Sequence, residues 1–117
     1  MVREHESKKV YKLAGNLVRE VYENSNTFPR AEQDGLTHRL QKTADLITTN
    51  IVEGVYQDKK KNCLQFLYRA RRSINETGRL LQVSNRLGYL DSNKYEKLEM
   101  LRQNVFQVLF ALIVSIA

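Results

Sequence analysis

The chain has 117 residues, 42% of them hydrophobic and 27% charged, a balance that excludes intrinsic disorder and fits one globular domain. One Pro and five Gly are too few for the turns of a many-stranded β fold, and a single cysteine, Cys63, excludes a disulfide framework. Nineteen Lys and Arg against 13 Asp and Glu leave a net charge of +6, which points to a polyanionic partner, though excess Lys also keeps a small protein soluble.

The first helix is expected over about residues 7–24, with Ser7 as its N-cap and Val10, Leu13, Leu17 and Val21 along one face. Asn24, Ser25 and Asn26 are turn formers, and Pro29 is tolerated in the first turn of the next helix. That second helix is expected over about residues 30–53, its apolar stripe made by Leu36, Leu40, Thr43, Ala44, Ile47 and Ile51. Gly35 inside it implies a packing reason, and Gly54 is placed to end it as a C-cap.

Asp58 is expected to cap a third helix over about residues 58–87, which Gly88 terminates. Asp91, Ser92 and Asn93 offer caps for a fourth, over about residues 93–116, and Asn93 with Glu96 has capping-box spacing. Short connections between long helices make neighbours antiparallel. The fold class is therefore all-α, an up-and-down four-helix bundle formed by residues 1–117 as a single domain.

Two surfaces follow from the helical period. The third helix stacks Lys61, Gln65, Tyr68, Arg72, Asn75, Arg79, Gln82 and Arg86 along one side, with Lys59, Lys60 and Arg69 nearby. Arg side chains with a Tyr suit phosphate contacts and base stacking, so Lys59, Lys60, Lys61, Tyr68, Arg69, Arg72, Arg79 and Arg86 are the candidate nucleic-acid-binding residues. A solvated Arg-rich face, with Glu76 neutralising Arg72 or Arg79, is the plainer alternative.

The fourth helix carries two apolar stripes. Leu98, Leu101, Val105, Val108, Leu109, Leu112 and Ile116 suffice to close a core, which leaves Phe106, Phe110, Ile113 and Ala117 as a candidate oligomer interface. The apolar run from Val105 to Ala117 is too short to span a bilayer, so no membrane partner is expected. A lone thiol, and an N-terminus charged from Met1 to Lys9 rather than signal-like, fit the cytoplasm.

No catalytic, metal or cofactor-binding pattern is present. Neither His5 nor His38 has a Glu three residues before it, as di-iron bundles require, and no glycine-rich phosphate loop occurs. Cys63 falls on the apolar face of its helix, as a structural thiol does. An enzyme would need Glu53 or Glu76 in a cleft, and none is implied, so the chain is expected not to be one.

Phe28-Pro29, Gly35-Leu36-Thr37, Asn50-Ile51-Val52-Glu53-Gly54 and Phe66-Leu67-Tyr68-x-Ala70-Arg71-x-Ser73-x-x-Glu76 follow one another in an order and spacing that resembles the 23S rRNA intervening-sequence protein family. The resemblance covers about residues 8–115 and marks Asn50, Glu53, Gly54, Arg71, Ser73 and Glu76. The chain departs at Gln57, where the family commonly has Arg, at Arg72, where it favours Gly, and at Gln41-Lys42, which only partly keeps a double-basic step. Together with related accessory proteins of diversity-generating retroelements, the resemblance implies a ring-shaped homopentamer linked to nucleic acid, with no enzymatic activity. A bundle whose basic face meets an acidic protein is the other class of function these residues allow.

Overall fold

The computed structural model describes residues 2–117, among which the chain forms four long helices and no strand. Helix α1 spans Glu4–Ser25, α2 Leu36–Val55, α3 Lys60–Arg86 and α4 Ser92–Ile116, with a short 3-10 turn at Arg30–Glu32 ahead of α2.

Buried residues recur at alternating steps of four and three. They are Val10, Ala14, Leu17 and Val21 on α1, Leu40, Ala44, Ile47 and Ile51 on α2, and Cys63, Leu67, Ala70 and Ile74 on α3. This is the seam spacing of antiparallel bundles, in which each side chain enters a gap on the facing helix. On α4 the seam runs through Leu98, Val105, Leu109 and Leu112. Helix α1 packs on α2 and α4, α3 packs on the same two, and no pair crosses the diagonal, which is the up-and-down arrangement. The molecule measures 43 × 25 × 18 Å along its principal axes.

Polar links tie the helices outside the seam. Lys97 near the start of α4 meets Glu20 near the end of α1 at 3.0 Å, as antiparallel neighbours must, and holds the Glu20 carboxyl below its ordinary pKa. The Tyr22 hydroxyl donates to Asp45 Oδ2 of α2 at 2.6 Å. That hydrogen bond, with burial and the carboxylate charge adding to it, pushes the phenol up to about 12.

Helix ends differ most from the sequence expectation. α1 begins at Glu4, with Glu4 and Glu6 in the positive first turn; Ser7 lies inside it and donates to the Glu4 carbonyl instead of capping. α2 begins at Leu36, because Arg30 to Asp34 offer no apolar face to bury and Gly35 stands at the N-cap, not within the helix. Asp58 does not cap α3: extended Lys59 holds that position with no side-chain cap bond. Asp91 caps α4, accepting from the Lys94 amide at 2.8 Å, so Asn93 and Glu96 form no capping box. Gly88 does end α3, at φ +80°. The Tyr89 amide bonds the Ser84 carbonyl at 2.9 Å and the Gly88 amide that of Asn85 at 3.0 Å, the paired bonds of a left-handed helix stop.

Gly54 is not a C-cap. It lies inside α2, buried against α3, where an added Cβ would stand 3.0 Å from Leu67 Cδ2 and 3.3 Å from the Cys63 carbonyl oxygen. The missing side chain sets how closely these helices approach. We expect Gly54→Ala to destabilise the fold by about 1–2 kcal/mol, overpacking outweighing the gain in helix propensity. Urea titration checks this as a lower midpoint at unchanged slope.

Between pH 10 and about 12 the unfolded chain releases the Tyr22 proton while the folded chain keeps it, so stability falls as pH rises through that window. Tyr22→Phe should cost about 1–2 kcal/mol at neutral pH and flatten that alkaline decline, as read by unfolding midpoints across the range.

Candidate nucleic-acid interface and assembly surface

Helix α3 turns Cys63, Leu67, Ala70, Ile74 and Leu81 into the core and leaves its opposite side to solvent. On that outer side Lys61, Gln65, Tyr68, Arg72, Asn75, Arg79, Gln82 and Arg86 are all exposed, as are Lys59, Lys60 and Arg69 beside them. Of the 19 Lys and Arg in the chain, α3 carries seven, against one of the 13 carboxylates. Its net charge of +6 therefore equals that of the whole protein, and the other residues balance to zero.

The cations on this face differ in availability. Glu76 accepts two hydrogen bonds from Arg79, at 2.7 and 2.9 Å, and Arg39 of α2 approaches the same carboxylate at 3.5 Å. The Arg79 bonds hold Glu76 below the usual carboxylate range and Arg79 above its own ordinary value. Arg71 lies over the Tyr68 ring and Arg69 over Phe66, each 5.0 Å from the ring centroid, a stacking that orients the guanidinium while leaving its charge. Among the described residues Lys61, Arg72 and Arg86 form no ion pair. Lys59, Lys60 and Lys61 gather at the positive end of α3, whose first turn holds no acidic residue, so two sources of positive potential coincide there.

The motif residues do not converge on one site. Asn50 donates to the Leu46 carbonyl of its own helix at 2.8 Å, and Glu53 is exposed. Gly54 is helix packing, Arg71 stacks on Tyr68, half-buried Ser73 gives its carbonyl to the Thr77 hydroxyl, and Glu76 pairs with arginines. Cys63 is fully buried, and burial pushes its thiol pKa up. No group of three or more His, Cys, Asp and Glu able to hold a metal forms among the described residues.

The second surface belongs to α4. Phe110 is 48% exposed and Val114 58% exposed, and half-buried Phe106 stacks on Phe110 with ring centroids 6.2 Å apart. Ala111 and Ala117 are exposed beside them, and no charged residue occurs from Gln103 to Ala117. Ile113 corrects the expected interface: it is 4% exposed and belongs to the chain's own core, because α4 turns that position toward the bundle. Val114, which the two-stripe reading left out, takes its place on the outer side. The whole of α4, longer than the terminal apolar run, is long and apolar enough by length and composition to cross a bilayer. Its inner side fills the bundle core.

Sequence reasoning missed Arg39, whose guanidinium joins the α3 face from α2, and also the Arg102–Glu99 pair. Arg102 stands between Leu98 and Val105 on the seam of α4, where its Nε and a terminal nitrogen reach Glu99 at 2.7 and 2.8 Å. It is accommodated because α3 has Gly78 opposite, where a Cβ would lie 2.6 Å from Arg102 Nε. A glycine in mid-helix, costing about 1 kcal/mol of propensity, was the available signal.

The sequence model of the family described as 23S rRNA-intervening sequence protein matches residues 6–111. A solved structure of a protein of unknown function from the S23 ribosomal protein family of Bacteroides thetaiotaomicron VPI-5482 superposes with a TM-score of 0.84 at 17% identity, covering 92% of this chain and 97% of that one. At that identity the likeness concerns the fold. No curated protein matches the chain.

Proposed function

Because this chain belongs to the 23S rRNA-intervening sequence protein family, we propose that it is a non-enzymatic, cytoplasmic bundle that assembles with itself and binds structured RNA through the outer face of α3. The observation that carries this reading is that α3 alone has a net charge equal to that of the whole protein. Arg72, Arg79 and Arg86 repeat every seven residues, about 10.5 Å apart along the helix, a row of cations that can follow a phosphate backbone. Tyr68 adds a ring beside them for an unstacked base. In this reading Glu76 competes with RNA for Arg79 and Arg39, so the face is partly self-neutralised until a phosphate displaces the carboxylate.

Assembly rests on the outer side of α4. An uncharged strip with Phe110 and Val114 outward, backed by Phe106, loses solvent-exposed apolar area when covered by a second copy. The family resemblance supplies the expected count of five.

Binding to a structured RNA should weaken with salt, each phosphate contact contributing about 0.7–0.9 to the log–log slope. Arg72→Ala with Arg86→Ala should lower affinity and reduce that slope by about 1–2. Glu76→Gln should raise affinity. A flat salt dependence, or indifference to the arginine changes, retires the RNA reading; recovery of an acidic protein after nuclease treatment would favour a protein partner instead.

Light scattering at micromolar concentration should find the unaltered protein as an oligomer. Phe110→Glu with Val114→Glu should give folded monomers, since both side chains point outward and the core stays intact. A monomeric unaltered protein overturns the assembly reading.

A further inference from the structure

At the corner where α1 turns into α2 lies a cleft of about 470 Å³ that the α3 face does not use. It opens beside the N-terminus of α2, a helix of 20 residues with no side-chain cap. The first helical amide bond there is from Arg39 to the Gly35 carbonyl, so the Leu36, Thr37 and His38 amides have no backbone acceptor. Free amides at the positive end of a helix this long favour an anion.

The side chains make the case independently. Among the described residues, Thr37 Oγ1 is the one buried side-chain oxygen or nitrogen with no hydrogen-bond partner, and Thr37, 9% exposed, lines this cleft. An unsatisfied hydroxyl at such depth costs about 1–3 kcal/mol, which a ligand atom supplying the bond would recover. Arg30 and His38 add cationic or donor groups, and Gln41, which bonds the buried Ser25 hydroxyl at 2.8 Å, adds an amide. No carboxylate lines the cleft. Glu32 stands at the Gly35 end of α2, its Oε1 3.4 Å from where a Gly35 Cβ would lie, and its Oε2 accepts from the Tyr89 hydroxyl at 2.8 Å; Asp34 is exposed on the turn.

We propose that this cleft binds a phosphate group, held by the Thr37 and His38 amides, the Thr37 hydroxyl and Arg30. Phosphate matches the inventory: several acceptor oxygens, negative charge, and a size far below the cleft volume, which leaves room for what the phosphate is attached to. No residue of α3 lines the cleft, so its donors are other than those of the α3 face.

The test is a titration of the full chain with inorganic phosphate, read by the backbone amide resonances of Leu36, Thr37 and His38. Saturable shifts at millimolar phosphate are expected. Thr37→Val and Arg30→Ala should each weaken binding about tenfold, the cost of one charge-assisted hydrogen bond. Arg30 is exposed, so its variant keeps the test open if Thr37→Val disturbs folding. Arg72→Ala with Arg86→Ala should leave phosphate binding unchanged, which separates this site from the RNA-binding reading. A second arm compares a 5′-phosphorylated with a 5′-hydroxyl oligoribonucleotide of one sequence. Preference for the phosphorylated form assigns the cleft to an RNA end; equal binding of both, with inorganic phosphate still saturating, assigns it to a small phosphorylated ligand. Absence of saturable shifts with phosphate, or retention of affinity in both cleft variants, overturns the proposal.

Discussion

The fold depends on an apolar seam that recurs every three to four residues on all four helices. Val10 to Val21, Leu40 to Ile51 and Cys63 to Ile74 keep it without interruption, and it fixes the rotation of each helix about its own axis. Once rotation is fixed, every other residue has an assigned side. The arginines of α3 lie on the outside because Cys63, Leu67 and Ala70 lie on the inside. Phe110 and Val114 are outward for the same reason, since Val105, Leu109 and Leu112 claim the interior of α4. The two candidate surfaces are consequences of one packing register.

Where the seam is broken, the neighbouring helix compensates. Arg102 places a largely buried charge on the seam side of α4, at a desolvation cost that a partner offsets. Glu99 supplies the partner from one turn earlier, and Gly78 supplies the space from α3. Gly54 and Gly78 are thus opposite uses of the same residue on adjacent interfaces. One lets a helix come close enough to bury Leu67, and the other lets a long polar side chain lie flat between helices.

Most residues that pack were legible in the sequence, as was the stop at Gly88, whereas the N-caps of α1 and α3 were not. Apolar periodicity sums over a whole helix, so Leu17, Ile47, Leu67 and Leu109 were placed in the core from spacing alone. A cap is decided by one bond among several near-equivalent polar residues, which is why Ser7 and Asp58 were named where Arg3 and Lys59 hold the positions, and why Asp91, which does cap α4, was offered only alongside Ser92 and Asn93. Gly35 read as helix packing and Gly54 as a C-cap, yet Gly35 starts α2 and Gly54 sits inside it against α3, a distinction that needs the facing helix to be known. Ile113 was misassigned because it lies at the border between the two stripes of α4, where a small rotation of the helix decides inside from outside. The basic face was visible residue by residue, but the charge neutrality of the rest emerges only when α3 has bounds. Thr37 was named only within the Gly35-Leu36-Thr37 motif: a threonine in an amphipathic helix has no assigned role until its hydroxyl is found buried and unpaired.

The distribution of charge carries an energetic argument of its own. Seven cations on a single helix, offset by one carboxylate, repel one another, and Lys59, Lys60 and Lys61 stand at the end where the helix dipole is already positive. A sequence optimised only for stability would place acids there, as α1 does with Glu4 and Glu6. Some of the repulsion is relieved locally, by Glu76 between Arg39 and Arg79 and by the rings beneath Arg69 and Arg71. The remainder is held in check by the buried seam on the opposite side of the same helix. A polyanion laid along α3 would remove that repulsion at every position at once, releasing counterions as it does so. The helix that the bundle stabilises against its own charge is therefore the one that gains most from a phosphate backbone.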